Sequence, residues 1–246
     1  FVYGKMERLS PEAPVPVIVP IHQTSNGGMS ENVKSNLEAL GCEVDIITNP
    51  NDIKKIRYVD DKSNQMVMRV DEHDYCERVN PNLLNFEKDK YDAIVISDYC
   101  KGFLKEEDIE YVCNHENVFI DTKKKLGEWI KNANFIKIND LEHKKNFEII
   151  PNYPKLESKL IITQGKKGCI YRNEVFPTKE VPVKDVSGAG DTFLAGLVYK
   201  YIKTKDIKES IKFAQQCTTK VVQKLGVSTI WKYGLMVVLM CYIEDT

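Results

Sequence analysis

The stretch "YDAIVISDYCKGFLKEEDIEYVCNHENVFID", residues 91–121, decides the fold of this chain. It contains an apolar run at 92–97, a segment with helical spacing of apolar residues at 104–115, and a second apolar run at 117–121. Short apolar strands that alternate with helices are typical of a parallel sheet covered on both faces. The pattern therefore predicts an α/β fold.

The same alternation continues from residue 91 toward the end of the sequence. Residues 208–225 repeat apolar positions at helical spacing, and the apolar run at 234–243 is too short to span a bilayer, which needs ~20 residues. We expect that run to form a buried strand or a terminal helix. Further strands are predicted at "CEVDIIT" (42–48), "NFIKIN" (134–139) and "KLIITQG" (159–165).

Two segments depart from the α/β pattern. "RLSPEAPVPVIVP" (8–20) has too many prolines for a central strand and indicates an extended edge. "IRYVDDKSNQMVMRVDE" (56–72) predicts two strands around a polar turn. Together they predict a small β appendage beside the main sheet.

Charge and cysteine content exclude several classes of protein. The 246 residues carry 35 Lys and Arg against 36 Asp and Glu, a net charge of −1, which gives no electrostatic reason to expect binding to nucleic acid or to a membrane surface. The seven cysteines are scattered without a CxxC spacing, so we expect reduced thiols and no zinc site. No secretory leader opens the sequence, and we expect a cytoplasmic protein.

The segment "DVSGAGDTFLAG" (185–196) carries the strongest chemical signal. Gly188, Ala189 and Gly190 precede a helix that we expect to begin at Thr192, and glycines allow backbone N–H groups to crowd around an anion at a positive helix end. Asp191 beside them could take a proton from a hydroxyl nucleophile, which is the outline of phosphoryl transfer. By itself the motif could equally be a glycine loop followed by an acid in the first helical turn.

Three further segments, at 26–41, 139–142 and 162–169, remove that ambiguity when they are taken together with 185–196. In order and spacing, the four segments resemble the signatures of ribokinase-like (PfkB-type) carbohydrate kinases. The resemblance implies a single domain over residues 1–246 with a three-layer α/β/α architecture, a mostly parallel central sheet and a small β lid formed by residues 8–20 and 56–72. The additional segments are "NGGMSENVKSNLEALG" (26–41), "NDLE" (139–142) and "ITQGKKGC" (162–169).

Within the family, the chain is similar to the kinases of D-glycero-D-manno-heptose 7-phosphate. The resemblance is carried by "RLSPEAPVPVI" (8–18), "KIRYVDDKSNQMVMRVD" (55–71), "SDYCKGFL" (97–104), "IDTKKK" (120–125) and "KLGVSTI" (224–230). It implies transfer of a phosphoryl group from ATP, with Mg²⁺, to the anomeric hydroxyl, on the route to ADP-heptose for lipopolysaccharide. It also implies a homodimer that pairs through the β lid.

The resemblance assigns roles to residues as follows. Asp191 is the catalytic base, supported by the amides of Gly188, Ala189 and Gly190, and Glu142 organises the metal. The sugar phosphate is held by Arg8, Gly27, Gly28, Asn32, Lys55, Arg57, Arg69 and Lys101. The nucleotide is held by Asn139, Thr163, Gly165, Gly168, Lys224 and Gly226.

The chain departs from the family pattern in several places. The family has a central strand and a sugar-holding aspartate just before the position of Phe1, and losing that strand would leave unpaired ladders. A strand–helix stretch is missing after residue 48, Gln215 stands at an asparagine position, and the pattern stops after residue 230. A kinase for another sugar and a catalytically impaired fragment or paralogue therefore remain open alternatives.

Overall fold

The computed structural model describes residues 1–49, 53–87, 90–224, 229 and the backbone of 235–241. These residues form twelve strands and six helices. The strands are β1 (Val2–Leu9), β2 (Pro16–Gln23), β3 (Cys42–Ile47), β4 (Lys54–Asp60), β5 (Met66–Glu72), β6 (Ala93–Asp98), β7 (Val118–Thr122), β8 (Phe135–Asn139), β9 (Leu160–Thr163), β10 (Cys169–Tyr171), β11 (Glu174–Phe176) and β12 (Leu235–Cys241). The helices are α1 (Gly28–Ala39), α2 (Glu106–Val112), α3 (Asp140–Lys145), α4 (Pro154–Glu157), α5 (Ala189–Thr204) and α6 (Ile207–Val221).

The main sheet has eight strands in the order β11-β10-β9-β8-β7-β6-β12-β3. From β9 to β3 every neighbouring pair is parallel, whereas β10 is antiparallel to both of its neighbours. Every residue of β6 and β7 is buried, as expected for strands that are covered on both faces. The predicted α/β fold with a mostly parallel sheet is confirmed.

Helices cover both faces of this sheet and form two cores. On one face α1, α5 and α6 pack through fully buried side chains such as Leu37, Leu194 and Ile211. On the other face α2 and short helical turns pack through Ile109 and Ile130. Burying such aliphatic side chains stabilises the fold by about 1.5–3 kcal/mol each. The result is the three-layer arrangement that the resemblance implies.

The strand β12 fills the position that the sequence left in doubt. It lies between β3 and β6 and is parallel to both, with Val237 in register with Val44 and Ala93. The expectation of unpaired ladders in the middle of the sheet is therefore wrong, because the apolar run late in the sequence supplies the missing strand. Of the two structures expected for that run, a strand and a helix, the strand is correct.

The remaining strands form a separate four-stranded sheet in the order β2-β1-β4-β5. The proline-rich β2 lies at its edge, and β4 and β5 form an antiparallel hairpin around residues 61–65, as the sequence predicts. In β5, Met68 pairs with Tyr58 and Arg69 pairs with Arg57, so the Met68 and Arg69 side chains lie on opposite faces of this sheet. We call this sheet the lid sheet.

No helix among the described residues combines the length and the apolar character that crossing a bilayer requires.

Candidate active site

The turn into α5 lies at the carboxyl end of the central strands. Gly188 caps the helix with φ +75°, a left-handed conformation that strongly favours glycine, and the helix begins at Ala189. It therefore starts three residues before Thr192, the first helical residue expected from the sequence, which places Asp191 in the first turn. The Ala189 N–H already donates to the carbonyl of Val186 at 3.2 Å. That amide is thus less available to an anion than the sequence suggests.

Two side chains from distant parts of the chain hold the carboxylate of Asp191. Asn32 of α1 donates from Nδ2 to Oδ2 at 2.7 Å, and the Tyr99 hydroxyl, which follows β6, donates to Oδ1 at 3.2 Å. Asn36 donates in turn to Oδ1 of Asn32 at 3.1 Å, and this bond orients the Asn32 amide toward the carboxylate. Asp191 itself is 5% exposed.

This environment changes the proton affinity of Asp191. The pKa of its carboxyl is raised from 3.8 to about 6, mainly by burial and to a smaller extent by the charge of Asp121. The Asn32 and Tyr99 hydrogen bonds and the ammonium of Lys137 act in the opposite direction and lower this pKa. A general base works best with a pKa near the working pH, so the environment suits Asp191 to that role.

A cavity of about 300 Å³ opens in front of Asp191, between the main sheet and the lid sheet. Five cationic side chains line its wall, and four of them are those that the resemblance assigns to an anionic sugar; the fifth is Lys123. The predicted residues that line the cavity are Gly28, Asn32, Lys55, Arg57, Arg69, Lys101, Gly188, Gly190 and Asp191.

The cations of this wall already have carboxylate neighbours. Asp74 contacts the ammonium groups of Lys101 and of Lys55, the latter at 3.6 Å, and Arg69 makes two 2.6 Å hydrogen bonds to Asp71. Burial lowers the pKa of Lys55 to about 8, although the charge of Asp74 raises it. Asp74 could not be identified from the sequence, because its carboxylate contacts Lys55 and Lys101, which lie in other segments of the chain.

Two residues predicted to hold the sugar lie elsewhere. Arg8 is an exposed residue of β1 opposite Val17 of β2, and the structure does not bring it to the cavity. Gly27 caps α1, next to Gly28, and a Cβ at Gly27 would lie 2.6 Å from that of Glu31. Its role in the structure is to allow this close approach at the start of α1.

A second cavity, of about 120 Å³, lies behind the turn into α5. Thr163, Gly165 and Gly168 line it, as predicted for the nucleotide side, together with Ala189 and Gly190. Gln215, which the sequence analysis singled out, also lines it and donates to the carbonyl of Phe176 at 2.5 Å. Lys224 is exposed and does not line this cavity, and Gly226 lies outside the described residues.

Asn139 and Glu142 form a capping box at the start of α3. The side chain of each accepts the backbone N–H of the other, at 2.9 and 2.7 Å. Asn139 is thus engaged in helix capping and lines neither of the two cavities described above. Burial raises the pKa of Glu142, and the charge of Asp121 raises it further.

The surroundings of Glu142 are compatible with its assignment to a metal ion. The described residues contain no group of three or more His, Cys, Asp or Glu side chains arranged to hold a metal ion. A cation that keeps most of its waters needs only one or two carboxylates, and Glu142 is a buried carboxylate close enough to Asp121 for the two charges to interact. A hydrated divalent ion would relieve their mutual repulsion, so these residues fit Mg²⁺.

Lys137, which lies in β8 and is 6% exposed, is a further residue of the site that was not predicted from the sequence. Its ammonium pairs with the carboxylate of Asp121 and would lie 3.0 Å from a Cβ placed on Gly190. Attraction to Asp121 outweighs the effect of burial, and the pKa of Lys137 is raised. A charged residue inside the apolar run "NFIKIN" was the available signal, because a lysine is seldom buried without a partner.

The turn 188–190 is the wall between the two cavities. Gly190 lines both of them, with Asp191 on the side of the larger cavity and Lys137 behind the turn. A group bound in one cavity could therefore meet a group bound in the other across Gly190, which carries no side chain. This arrangement, with a buried carboxylate beside the shared turn of a ribokinase-like fold, suits the transfer of a group between two bound molecules.

Comparison with protein families identifies the class. Residues 103–232 match the model of the pfkB family carbohydrate kinases. The chain belongs to this family and is a sugar kinase. It is 32% identical, over 93% of its length, to the bifunctional protein HldE of Nitratiruptor sp., and 30% identical to that of Campylobacter curvus. It spans about 60% of the length of these curated relatives.

Solved structures confirm the ribokinase-like fold. A nucleoside kinase of the ribokinase family from Methanocaldococcus jannaschii matches with a TM-score of 0.65 at 16% identity, covering 94% of this chain and 91% of that one. Arabidopsis thaliana ribokinase, solved with ribose and ATP, matches with a TM-score of 0.63 at 15% identity and covers 92% and 90%. At these identities the likeness concerns the fold alone.

Proposed function

We propose that the protein transfers the γ-phosphoryl group of ATP to the anomeric hydroxyl of D-glycero-D-manno-heptose 7-phosphate, in ADP-heptose synthesis for lipopolysaccharide. The observation that carries the proposal is the pair of cavities that meet at Gly190, one lined by cations and containing the buried Asp191. In this arrangement the sugar occupies the larger cavity and the nucleotide the smaller one.

The chemistry follows from the position of Asp191. Its carboxylate removes the proton of the sugar hydroxyl as the oxygen forms a bond to the γ-phosphorus, and the bond from that phosphorus to the leaving ADP oxygen breaks. The backbone amides of Gly188 and Gly190 and the positive end of α5 face the charge of the phosphoryl group. Lys137 adds a positive charge behind the same turn.

Magnesium belongs to the proposal through Glu142, with Asp121 nearby. When bound with the nucleotide, Mg²⁺ neutralises charge on the phosphates. The capping box holds the Glu142 carboxylate by one oxygen, because Oε2 accepts the N–H of Asn139. This fixes the direction in which the rest of the carboxylate can reach a water of the ion.

The phosphate of the proposed substrate explains the cations of the larger cavity. Arg57 and Arg69 offer planar forks and Lys55 and Lys101 offer point charges, which are the groups that proteins use for phosphate. The same wall also supports a second candidate, a kinase for an unphosphorylated sugar. Asp71 and Asp74 already neutralise much of this charge, as a site for a neutral sugar would require.

A substrate panel separates the two candidates. Purified protein with ATP and Mg²⁺ would be offered heptose 7-phosphate, unphosphorylated heptose, ribose and fructose 6-phosphate, with ADP release as the readout. We expect turnover of heptose 7-phosphate alone. Preferred turnover of an unphosphorylated sugar would favour the second candidate, and the Asp191→Asn variant, which should bind nucleotide without turnover, is the control for contaminating kinases.

We further propose that residues 1–246 act as one kinase domain whose lid sheet pairs two copies of the chain. Met68 is 51% exposed on the face opposite Arg69, Met66 beyond the β-bulge is 53% exposed, and Val19 and Ile21 on β2 are 59% and 50% exposed. Light scattering after size exclusion should give a dimer that Met68→Lys weakens. A wild-type monomer at micromolar concentration would contradict this part of the proposal.

A further inference from the structure

The hydroxyl of Tyr99 lies at the site, but neither the sequence motifs nor the proposed mechanism gives this tyrosine a role. It follows β6, lines the larger cavity and donates to Oδ1 of Asp191 at 3.2 Å. We propose that Tyr99 is a positioning residue, which together with Asn32 locks the carboxylate of Asp191 in the plane required to take a proton from the sugar hydroxyl. This inference rests on the proposed role of Asp191 as the base.

Two donors on two different oxygens make this lock. A single hydrogen bond leaves a carboxylate free to rotate about its Cβ–Cγ bond, whereas Asn32 holds Oδ2 at 2.7 Å and Tyr99 holds Oδ1. Asn32 is itself fixed, because the Asn36 amide donates to both the side-chain oxygen and the backbone oxygen of Asn32. The Thr192 hydroxyl in turn donates to Oδ1 of Asn36 at 3.3 Å. Such supporting contacts are what keeps a reacting group in productive geometry.

The surroundings of Tyr99 keep its hydroxyl a donor. Burial raises the pKa of Tyr99 well above 10, and the charges of Asp191, Asp121 and Glu142 raise it further, so the hydroxyl stays protonated. The Lys123 ammonium lies 3.8 Å from the centre of the ring and holds its face by a cation–π contact. Because the ring is held on one side and the hydroxyl on the other, the phenol has a fixed direction.

The charged groups that face Asp191 come from other elements. Lys137 in β8 lowers the pKa of Asp191, and Asp121 in β7 raises it. None of these groups changes when the Tyr99 hydroxyl alone is removed. The Tyr99→Phe substitution therefore isolates the hydrogen bond and keeps the ring, its contact with Lys123 and the two neighbouring charges.

The experiment compares wild type with Tyr99→Phe by two readouts. Carbon-13 NMR of the labelled Asp191 carboxyl gives its pKa without turnover, and we expect a rise of about half to one unit, a three- to tenfold loss of the ionised form on the acid side. The acid limb of kcat/KM should move by the same amount. At pH 8.5, where Asp191 is ionised in both proteins, kcat should still be reduced about fivefold or more with KM within twofold, because misorientation persists when protonation no longer differs.

Tyr91→Phe is the matched control. It also removes a tyrosine hydroxyl that donates to an aspartate, Asp45 at 2.6 Å, but at an exposed position outside both cavities. It should leave the Asp191 titration and kcat unchanged.

The outcomes separate the inference from the proposed function. An unchanged Asp191 pKa in Tyr99→Phe, or full recovery of kcat at pH 8.5, overturns the positioning role. If the pKa of the Asp191 carboxyl shifts but the acid limb of kcat/KM does not move, the hydrogen bond from Tyr99 does hold Asp191. That result would nevertheless refute Asp191 as the base. If Tyr99→Phe were unstable, 3-fluorotyrosine at position 99, which keeps the ring and has a more strongly donating hydroxyl, would test the same hydrogen bond, with a fall in the Asp191 pKa expected and no change contradicting it.

Discussion

Substitution of Asp191 by asparagine should inactivate the enzyme and stabilise the protein at the same time. The folded-state pKa of about 6 lies above the ordinary value of 3.8, so the folded protein binds the proton more tightly than the unfolded chain does. Between these two pH values stability falls as pH rises, and above about pH 6 the full cost of the buried charge is present. Asparagine carries no charge, so the variant does not have this cost.

The size of the effect follows from the shift. A change from 3.8 to about 6 corresponds to about 3 kcal/mol at neutral pH. Asparagine also brings an NH₂ group toward the donors Asn32 and Tyr99, and one donor facing another costs about 1–2 kcal/mol. We therefore expect Asp191→Asn to gain roughly 1–2 kcal/mol of unfolding free energy at pH 7 and to lose that gain as the pH falls toward 4.

Urea unfolding of both proteins between pH 4.5 and about 8 measures this difference. Asp45→Asn is the control with the opposite sign, because hydrogen bonds from Tyr91 and Lys90 lower the pKa of Asp45, so its ionised form stabilises the fold. That variant should be less stable than wild type above the ordinary pKa of an aspartate. A pH-independent gain, or a loss of stability in Asp191→Asn at pH 7, would refute the reasoning, and so would measurable turnover by that variant.

Three further substitutions test other parts of the structure. Gly188→Ala places a side chain at φ +75°, so it should cost about 1 kcal/mol in urea unfolding and lower kcat more than it changes KM; an unaffected kcat would contradict the role of the turn. Asp74→Asn removes a carboxylate from Lys55 and Lys101, so inorganic phosphate should inhibit several-fold more strongly; equal inhibition would show that Asp74 does not compete with an anion. Val238→Pro removes a backbone hydrogen bond of β12 inside the sheet and should lower the free energy of unfolding by about 3 kcal/mol or more, measured by thermal denaturation followed by circular dichroism. An unchanged melting curve would show that β12 does not lie between β3 and β6.

The sequence predicted those features that depend on local pattern. Runs such as 92–97 and 117–121 are confirmed as strands because burial on both faces requires continuous apolar residues. The hairpin over 56–72 is confirmed because a polar turn between alternating strands permits little else. The start of α5 was placed three residues late, since the left-handed cap at Gly188 depends on backbone geometry that a glycine permits but does not require.

The rest depended on contacts between distant segments. Arg8 has the right chemistry for a phosphate, but the register of β1 with β2 leaves it exposed. Tyr99 and Asn32 meet at Asp191 only because the sheet order brings three separate segments to one edge. The roles of the site residues stay predictions until the substrate is measured.

The place of β12 has a consequence during synthesis of the protein. In the sheet order β3 is joined to the other strands through β12 alone, yet β12 is translated after all the rest of the described chain. Until residues 235–241 leave the ribosome, β3 and β6 each present an apolar strand edge without its neighbour, and such edges promote aggregation. Pairing partners that lie so far apart in sequence also form slowly. Production of the folded kinase should therefore depend on chaperones and on temperature more than its final packing suggests.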